Sequence, residues 1–313
     1  MSPEAQKVTV KVEGRVLTLS NLAKVLYPQT GFTKGQVIDY YMRIAPVLLP
    51  HIAHRPLTLK RYPDGVDGGY FYEKNAPSHR PPWVPTRRIA SPGSSKPRES
   101  VLYVVAGDLP TLIWAANLAD LEIHTPMWRL PHIGEPDLLV FDLDPGAPAT
   151  IVDCCKVALL LRPLLDELGL PPLAKTSGGK GLQIYAPLSG MTSAQASELA
   201  RTIAGHLEQA HPKLIVSRMT KALRPGKVFI DWSQNNAAKT TVGPYSLRAM
   251  AEPTVSTPVS WDEVAVCRDP GDLVFTSDAV LDRVARHGDL HEPLLPTGSR
   301  GRTGPGRTLP SGR

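Results

Sequence analysis

The sequence predicts an α+β fold in which one or two sheets carry helices. Three features indicate this class: short segments that alternate apolar and polar residues, segments with apolar residues at helical spacing, and an order that mixes the two kinds. The 42% apolar content of the 313 residues is enough for a sizeable core. We expect a single domain over residues 1–292 and a basic, disordered Gly/Pro/Arg-rich tail over 293–313.

Composition and charge exclude several classes of protein. No segment approaches the ~20 apolar residues of a membrane span, and the amino end has no apolar signal segment, so we expect no membrane partner. The three cysteines match neither a disulfide framework nor a zinc site, which favours a cytoplasmic protein with reduced thiols. The net charge of +6 suggests a nucleic-acid partner, but four of the arginines that supply it lie in the tail.

The first part of the chain predicts a hairpin, a long helix, an aromatic strand pair, loops and a shorter helix. Thr33 can cap the long helix, which we expect to kink or end near Pro46. The predicted bounds are a hairpin over 8–19, two strands within 57–75, loops over 76–98, a helix over 109–121 and a following strand that carries His124.

The second part predicts helices that alternate with strands. Thr150 can begin one helix, Thr192 and Gln195 form a capping box for another, and Pro163 should kink the first of them. The predicted bounds are strands at 137–144, 214–219 and 228–231, a turn and strand within 173–188, helices over 150–169, 192–209 and 277–287, and a short segment at 261–263.

Two carboxylates stand one residue apart at the end of a predicted strand, in the sequence FDLDPG. Residues i and i+2 of a strand point to the same face, so Asp142 and Asp144 should project together. Such carboxylates repel each other unless a cation lies between them, and Mg²⁺ or Mn²⁺ takes oxygen ligands. The motif therefore indicates either a divalent-metal site or two solvated acids. Asp231 can supply a third carboxylate if its strand is a neighbour in the sheet.

A Ser-Gly-Gly-Lys-Gly turn leads into the strand that follows it. The glycines allow close backbone approach, Ser177 and the turn N–H groups can donate hydrogen bonds, and Lys180 supplies a positive charge. This chemistry suits a triphosphate. It is not the P-loop pattern, because the spacing differs and a strand rather than a helix follows.

Other residues have both a binding and a structural interpretation. Lys24 and Lys34, with Asn21 nearby, lie at the start of the long helix, where they form either a phosphate site or two solvated lysines. Some of the aromatic side chains of residues 70–72 belong to the core, or they are exposed and stack on a flat partner such as a base. His124 stands alone, and a lone histidine is more often structural than catalytic.

Taken in order, FDLDPG, TSGGKGLQIY and KVFIDWSQN with KTTVGPYSLRA resemble the polymerase domain of bacterial ATP-dependent DNA ligase D, in the archaeo-eukaryotic primase superfamily. The segments NLAKVLYPQTGFTK, RPLTLKRYPDG, YFYEKNAP and LEIHTPMW match as well, so the resemblance spans roughly residues 8–290. It implies a primase-polymerase fold, with an RRM-like catalytic sheet packed with a second sheet and surrounding helices. It also implies nucleotidyl transfer from ribo- or deoxyribonucleoside triphosphates to a primer 3′-hydroxyl, filling gaps or ends at 5′-phosphorylated DNA breaks.

The resemblance assigns roles to residues whose positions match the family motifs. Two ions of Mn²⁺ or Mg²⁺ would be bound by the catalytic residues Asp142, Asp144 and Asp231. The incoming nucleotide would be held at its triphosphate by Ser177 and Lys180, around its sugar and phosphates by Lys60, His124 and Arg248, and at its base by Phe71. DNA would be contacted at a 5′-phosphate by Asn21, Lys24 and Lys34, near the template or primer terminus by Arg224, and by mobile loops within 76–98.

The implied partners follow from these roles. They are gapped or broken DNA with a 5′-phosphate, NTPs and dNTPs, and, since no ligase or nuclease region is visible, a separate DNA ligase and a Ku-like end-binding protein. We therefore expect either a stand-alone member of the family, which the Gly/Pro/Arg-rich tail favours, or an excised domain, with a role in end joining or gap repair at the bacterial nucleoid.

One residue departs from the family pattern, which usually has histidine where this chain has Gln183. We expect Gln183 to contact the nucleotide, because its amide can donate a hydrogen bond to a phosphate oxygen. It cannot carry a proton or a positive charge. The sequence therefore predicts weaker triphosphate binding than in relatives, or compensation by Lys180 and Arg248.

Two alternative functions were weighed against this interpretation. FDLD also resembles the Asp-x-Asp strand of haloacid-dehalogenase-type phosphatases, but Pro145 stands where that class has glycine, and the 177–181 turn is left unexplained. The other alternative is a non-catalytic DNA-end-binding or bridging module, for which Gln183 would be a sign of lost activity. The presence of all three aspartates argues against it.

Overall fold

The structure is a computed structural model that describes residues 7–90 and 100–296, and its helices and strands have the following bounds. The strands are β1 (Lys7–Val12), β2 (Arg15–Ser20), β3 (Val25–Tyr27), β4 (Phe32–Thr33), β5 (Thr58–Arg61), β6 (Phe71–Glu73), β7 (Thr86–Ala90), β8 (Ser100–Val104), β9 (Asp120–Thr125), β10 (Leu138–Pro145), β11 (Leu173–Thr176), β12 (Leu182–Pro187), β13 (Ile215–Val216), β14 (Val228–Asp231), β15 (Thr241–Val242) and β16 (Pro258–Val259). The helices are α1 (Lys34–Ile52), α2 (Leu109–Asn117), α3 (Ile151–Glu167), α4 (Ser193–Ala210), α5 (Trp261–Val266) and α6 (Ser277–His287). Short 3₁₀ turns lie at Lys221–Leu223, Trp232–Asn235, Pro270–Leu273 and Glu292–Leu294.

Two sheets organise the molecule, and three two-stranded ladders accompany them. The six-stranded sheet has the order β13-β14-β10-β12-β11-β16, and the four-stranded sheet has the order β15-β9-β5-β6. The central strand β10 is antiparallel to both of its neighbours, β12 and β14. Helices and strands are mixed along the chain rather than strictly alternating, which confirms the predicted α+β class.

Each sheet has its own hydrophobic core. Leu139, Phe141 and Leu143 of β10 are fully buried in the cluster formed with α3 and α4. Because side chains alternate along a strand, the residues between them face the opposite side of the sheet. A second cluster joins α1 and α2 to the four-stranded sheet. The helix layer therefore fixes which face of β10 remains for polar side chains.

Helix α1 is longer than predicted. It begins at Thr33 with a complete capping box to Gln36, as the sequence indicates, but it continues through Pro46 and Pro50 to Ile52. The expected end near Pro46 is therefore wrong. The residues beyond it, including Leu48 and Ile52, are buried, and this apolar burial outweighs the backbone hydrogen bond that proline removes.

Among the described residues, we find no helix long and apolar enough to cross a bilayer.

Four other predicted bounds need correction. The helix predicted over 109–121 ends at Asn117, because Ala119 has a positive φ and strand β9 begins at the next residue. The loops predicted over 76–98 include strand β7, which pairs with β8, while residues 91–99 lie outside the described residues. The strand predicted over 214–219 is only the two-residue β13.

The fourth bound that needs correction is the predicted carboxyl-terminal end of the domain at residue 292. Leu294 and Leu295 are buried, so ordered packing continues beyond residue 292 into the segment predicted to be tail. The rest of that segment, residues 297–313, lies outside the described residues.

A buried arginine ties α1 to the six-stranded sheet. Arg55 is 1% exposed, and its Nη2 lies 2.7 Å from Oδ1 of Asp137, which immediately precedes β10. Arg129 donates to the same carboxylate from its Nε at 2.8 Å. Arg55 also donates to the carbonyl oxygens of His51 and Pro126. One carboxylate thus compensates two guanidinium groups where the two sheets and α1 meet.

Replacing Asp137 with alanine should destabilise the fold strongly. The change leaves the buried Arg55 without a counter-charge, and breaking such a pair typically costs about 3–5 kcal/mol of unfolding free energy. Urea unfolding followed by circular dichroism measures the loss. The control is Glu198→Ala, which removes the exposed partner of Arg201 and should leave the melting temperature unchanged. Equal stability of the two variants would contradict the role assigned to Asp137.

Candidate active site

Three aspartates meet on one face of the six-stranded sheet. The register of β10 with β14 pairs Asp142 directly with Asp231, and Asp144 lies two residues further along β10. All three therefore project from the face opposite the helices. The structure thus makes neighbours of two strands whose pairing the sequence left open.

The electrostatics of these aspartates are unfavourable without a cation. Burial, and then the negative charge of Asp144, raise the pKa of Asp142 above its ordinary value. Partial removal from bulk water, and then the charge of Asp231, raise the pKa of Asp144, although its side chain is the more exposed of the two. Carboxylates in such a group either take up protons or bind a cation.

The oxygens of Asp231 already have partners within its own turn. Oδ1 accepts hydrogen bonds from the backbone N–H and the hydroxyl of Ser233, at 3.0 and 2.5 Å, and Oδ2 accepts one from Nε2 of Gln234 at 2.9 Å. Within the part of the chain that the structure describes, no three acidic, histidine or cysteine side chains converge as a preformed metal centre would. Asp142 and Asp144 fit a hard divalent cation as they stand, and Asp231 fits one by its position.

The Ser177–Gly181 turn lies against the end of β10. Ser177 Oγ accepts hydrogen bonds from the N–H groups of Gly179 and Gly181, at 3.2 and 3.1 Å. A Cβ atom on Gly181 would lie 2.3 Å from the carbonyl oxygen of Leu143 and 3.6 Å from Oδ1 of Asp144, so no larger residue fits there. Lys180 is exposed at the tip. The structure therefore brings Ser177 and Lys180 next to the aspartates.

A buried carboxylate organises the cationic residues of the four-stranded sheet. Glu122 is 2% exposed, and Lys60 Nζ, His124 Nε2 and Arg248 Nε lie 3.2, 3.0 and 3.4 Å from its oxygens. The hydroxyl of Tyr62 donates to it as well. The three residues that the resemblance assigned to the sugar and phosphates of the nucleotide thus share one counter-charge, which no sequence pattern had singled out.

The charges in this Glu122 cluster determine the state of the histidine. Burial alone would raise the pKa of Glu122, but the His124 hydrogen bond and the charges of Arg248 and Lys60 lower it below its ordinary value. Burial, together with the charges of Arg248 and Lys60, lowers the pKa of His124 below its ordinary value although Glu122 raises it, so its ring is neutral at pH 7. An ionised carboxylate only accepts hydrogen bonds, so Nε2 carries the proton and Nδ1 is left as an acceptor.

The aromatic residues divide between the two faces of the four-stranded sheet. Tyr72 pairs with Lys60 in the strand register and makes an edge contact with His124, with ring centroids 5.9 Å apart. Phe71, one residue earlier, points to the other face, where the Arg61 guanidinium lies 5.1 Å from its ring centroid. The structure therefore does not bring Phe71 to the Glu122 cluster. Tyr72, at 55% exposure, is the flat surface on that side.

Asn21, Lys24 and Lys34 line one cavity of about 250 Å³ together with Arg61. Lys24 pairs with Asp64 at 2.9 Å, and Lys34 Nζ donates to the carbonyl oxygen of Ser20 at 2.7 Å. Burial, and then the charges of Lys24 and Arg61, lower the pKa of Lys34 to about 8. The structure thus assembles the three residues that the sequence proposed for a phosphate and adds an arginine that the sequence analysis missed.

Arg224 lies beside the aspartates rather than among them. Its guanidinium stacks on Phe229, 3.6 Å from the ring centroid, and Phe229 pairs with Asp144 in the sheet. The positive charge of Arg224 partly offsets the rise in the pKa of Asp144. Arg224 is thus at the edge of the acidic site.

Gln183 does not occupy the place expected for a phosphate ligand. It is 3% exposed and pairs with Asp142 in the register of β10 with β12, and its Nε2 donates to Asp142 Oδ1 at 3.0 Å. Its Oε1 accepts hydrogen bonds from Lys175 and Tyr185. Both ends of the amide are bound within the sheet, which argues against the expected contact with the nucleotide.

The residues missed by sequence analysis gave only weak signals. Glu122 is an acid flanked by Leu121 and Ile123 in an apolar strand, two residues before His124, and Arg61 directly follows Lys60. Lys175 lies two residues before Ser177 in another buried strand. A charged residue inside an apolar run indicates a buried partner, but the partner itself is distant in sequence.

Comparisons with known proteins agree with this geometry. A family profile described as "LigD, primase-polymerase domain" matches residues 33–291. The chain is 47% identical over 279 residues to the multifunctional non-homologous end joining protein LigD of Mycolicibacterium smegmatis, covering 88% of this chain and 36% of that one. It is 31% identical over 274 residues to the bifunctional LigD of Bacillus subtilis, covering 87% and 43%. It thus spans well under half the length of these relatives.

A solved structure is similar over most of the chain. The polymerase domain from Mycobacterium tuberculosis ligase D, in complex with DNA, superimposes with a TM-score of 0.83 at 44% identity. The match covers 90% of this chain and 99% of that domain. At this level of identity, the likeness confirms the primase-polymerase fold.

The packing of the 177–181 turn can be tested with two glycines of similar backbone conformation. Gly178 and Gly190 both have φ near +70°, but a Cβ at 178 would lie 2.6 Å from Arg248 Cγ, whereas nothing lies within 4 Å at 190. Gly190→Ala should cost about 1 kcal/mol through its dihedral alone. Gly178→Ala should cost about 1–3 kcal/mol more, because it also overpacks the site. Urea unfolding compares them, and equal losses would show that the turn is not packed as described.

Proposed function

The chain belongs to the LigD primase-polymerase family, and we propose on this premise that it extends the 3′-hydroxyl of a DNA primer with nucleoside triphosphates. Its substrates would be gaps or breaks whose downstream strand carries a 5′-phosphate. The observation that supports this most directly is the strand register that sets Asp142 opposite Asp231, with Asp144 alongside and the Ser177–Gly181 turn against the same strand end.

The three aspartates would hold two divalent cations, Mn²⁺ or Mg²⁺. Such ions, when bound, lower the pKa of the primer hydroxyl and stabilise the pyrophosphate that leaves. The raised pKa values of Asp142 and Asp144 support this role, since a bound cation relieves the repulsion that causes them. Ser233 and Gln234 would hold the Asp231 carboxylate in place through their hydrogen bonds until it binds a cation.

The nucleotide would lie between the two sheets. The Lys180 side chain would face the triphosphate in this arrangement, and Arg248 is held in place by Glu122 and by the carbonyl oxygen of Ser177, 2.6 Å from its Nη1. The neutral His124 offers Nδ1 as an acceptor, which suits a sugar hydroxyl better than a phosphate. Tyr72 is better placed than Phe71 to stack on the base.

DNA would bind on the face of the four-stranded sheet opposite the proposed nucleotide site. Lys24, Lys34 and Arg61 bring three cationic side chains to the 250 Å³ cavity, where Asn21 adds an amide. Lys24 is paired with Asp64 and Arg61 with Glu73, so a positive excess remains, which suits a 5′-phosphate. Phe71 lies on the same face, because its ring contacts the Arg61 guanidinium, and it would stack on a neighbouring base. Arg224 would contact the template or primer terminus beside Asp144.

The wider setting follows from the relatives' names, which refer to non-homologous end joining. We propose that this chain fills gaps or ends before sealing, at the bacterial nucleoid. A DNA ligase and a Ku-like end-binding protein would be its partners.

Asp142→Asn should abolish primer extension and leave DNA binding intact. Asparagine can still accept the hydrogen bond from Gln183 but cannot bind a divalent cation as a carboxylate does. The assay is extension on gapped DNA with Mn²⁺ and ribonucleotides, beside fluorescence anisotropy of the same DNA. Chelation by EDTA should stop the parent protein, and added Mn²⁺ should restore it. Extension by Asp142→Asn would remove the metal assignment, and DNA binding by an inactive parent would instead favour a bridging module.

Recognition of the 5′-phosphate should weaken as the pH rises. Lys34 has a pKa of about 8 in the free protein, so it is mostly protonated at pH 7 and mostly neutral at pH 9. A bound phosphate favours the charged form, which moves the transition upward. The affinity ratio between gapped DNA with a 5′-phosphate and with a 5′-hydroxyl should fall by about tenfold across this range.

Two variants control the pH experiment. Lys34→Met should give a low ratio that does not change with pH, whereas Lys156→Met, which removes an exposed lysine of α3, should behave as the parent. An identical pH profile for both DNAs in the parent protein would contradict the assignment of Lys34.

A further inference from the structure

Four polar side chains form a continuous row across the six-stranded sheet. The strand registers pair Lys175 with Gln183, Gln183 with Asp142, and Asp142 with Asp231. Directly paired residues of neighbouring strands lie on the same face, so the row runs from the interior of the molecule to the acidic site. Lys175 is its inner end and is completely buried.

The chemistry of the row fixes the orientation of the amide in its middle. Lys175 Nζ carries N–H donors whether it is charged or neutral, and the ionised Asp142 carboxylate can only accept. Gln183 must therefore turn its oxygen toward Lys175 and its NH₂ group toward Asp142, as the hydrogen bonds show. Flipping the amide would place its NH₂ group against the donor of Lys175 and its oxygen against the acceptor of Asp142.

A second donor strengthens this orientation. The hydroxyl of Tyr185 donates to Gln183 Oε1 at 3.3 Å and is itself 2.8 Å from the hydroxyl of Thr241, in the four-stranded sheet. Lys175 also donates to Ser256 Oγ at 2.6 Å. The amide oxygen thus has two donors on its inner side, both anchored to elements outside β12.

We propose that Lys175 and Tyr185 are positioning residues, which hold the Gln183 amide so that it binds one oxygen of Asp142 and leaves the other free for a divalent cation. The inference rests on the proposed function, since it assigns Asp142 to a cation. It deepens that function by identifying what orients this aspartate within the sheet.

A space-filling role does not explain a lysine at this position. A fully buried amine is costly, and methionine would fill the same volume without that cost. Burial lowers the pKa of Lys175 well below its ordinary value. The amine keeps N–H donors whether it is charged or neutral, so the hydrogen bond to Gln183 does not depend on its protonation.

The row also explains why glutamine can stand where the family pattern has histidine. A neutral imidazole has one acceptor and one donor nitrogen, which is the same polarity as the amide oxygen and NH₂ group. Either side chain can therefore accept from Lys175 and donate to Asp142. Gln183→His should consequently leave the nucleotide KM within about twofold of the parent, in contrast to the sequence-based expectation.

The experiment compares Lys175→Met and Tyr185→Phe with Tyr40→Phe. Tyr40 is the control, because its buried hydroxyl donates a hydrogen bond to the carbonyl oxygen of Tyr245 and does not contact Gln183. Three readouts apply: the side-chain NH₂ resonances of Gln183 in the metal-free protein, the affinity for Mn²⁺ without nucleotide, and kcat for gap extension.

Loss of a positioning residue near a metal ligand typically costs 10–100-fold in metal affinity or activity. Lys175→Met should therefore weaken Mn²⁺ binding and lower kcat by about tenfold or more. It should also speed the exchange of the Gln183 NH₂ protons, while leaving the nucleotide KM nearly unchanged. Tyr185→Phe should show the same changes to a smaller extent, and Tyr40→Phe should show none of them.

The outcomes separate this inference from the proposed function. A parent protein that binds no Mn²⁺ and extends no primer would refute the proposed function, while the Gln183 resonances still decide whether Lys175 orders the amide. An active parent whose Lys175→Met variant keeps the parent's resonances, or binds Mn²⁺ as tightly or more tightly, would overturn the positioning role. If the nucleotide KM of Gln183→His falls by tenfold or more, residue 183 contacts the triphosphate, and the positioning role is wrong.

Discussion

The antiparallel register of β10 with its two neighbours is the constraint on which the rest of the site depends. It sets Asp142 between Gln183 and Asp231, and a slip of one residue would turn every side chain to the other face. The register is secured from the far side of the sheet, where Leu139, Phe141 and Leu143 are buried against α3 and α4. The hydrophobic core thus determines where the repelling carboxylates lie.

The two sheets contribute opposite charges to the cleft between them. The six-stranded sheet presents the aspartates, while Lys60 and His124 of the four-stranded sheet, together with Arg248 from the segment after β15, surround the buried Glu122. One anion thus lies beside two cationic groups and a neutral imidazole, and it keeps Lys60 and Arg248 close together despite their mutual repulsion. Arg248 reaches both sides, because it contacts Glu122 and also donates to the carbonyl oxygen of Ser177. A substrate with a polyphosphate and a 3′-hydroxyl partner needs such a division of charge.

Local patterns predicted what depends on neighbouring residues in the chain. The i, i+2 spacing placed Asp142 and Asp144 on one face, and the N-cap at Thr33 and the capping box at Thr192 were found where expected. Features that depend on strand pairing could not be predicted in this way. The face occupied by Phe71 follows from its pairing with Arg61, and the partners of Glu122 come from three separate segments. The extension of α1 beyond Pro46 likewise follows from tertiary burial.

Gln183 shows most clearly how tertiary context changes the meaning of a residue. Beside a phosphate-binding turn, a glutamine in place of histidine suggests a lost charge at the triphosphate. In the sheet it is the middle of a donor–acceptor row, where polarity matters and charge does not. A substitution that keeps one donor and one acceptor conserves that function. Under the positioning role proposed for Lys175, glutamine and a neutral histidine would be equivalent at this position, because each can accept from Lys175 and donate to Asp142.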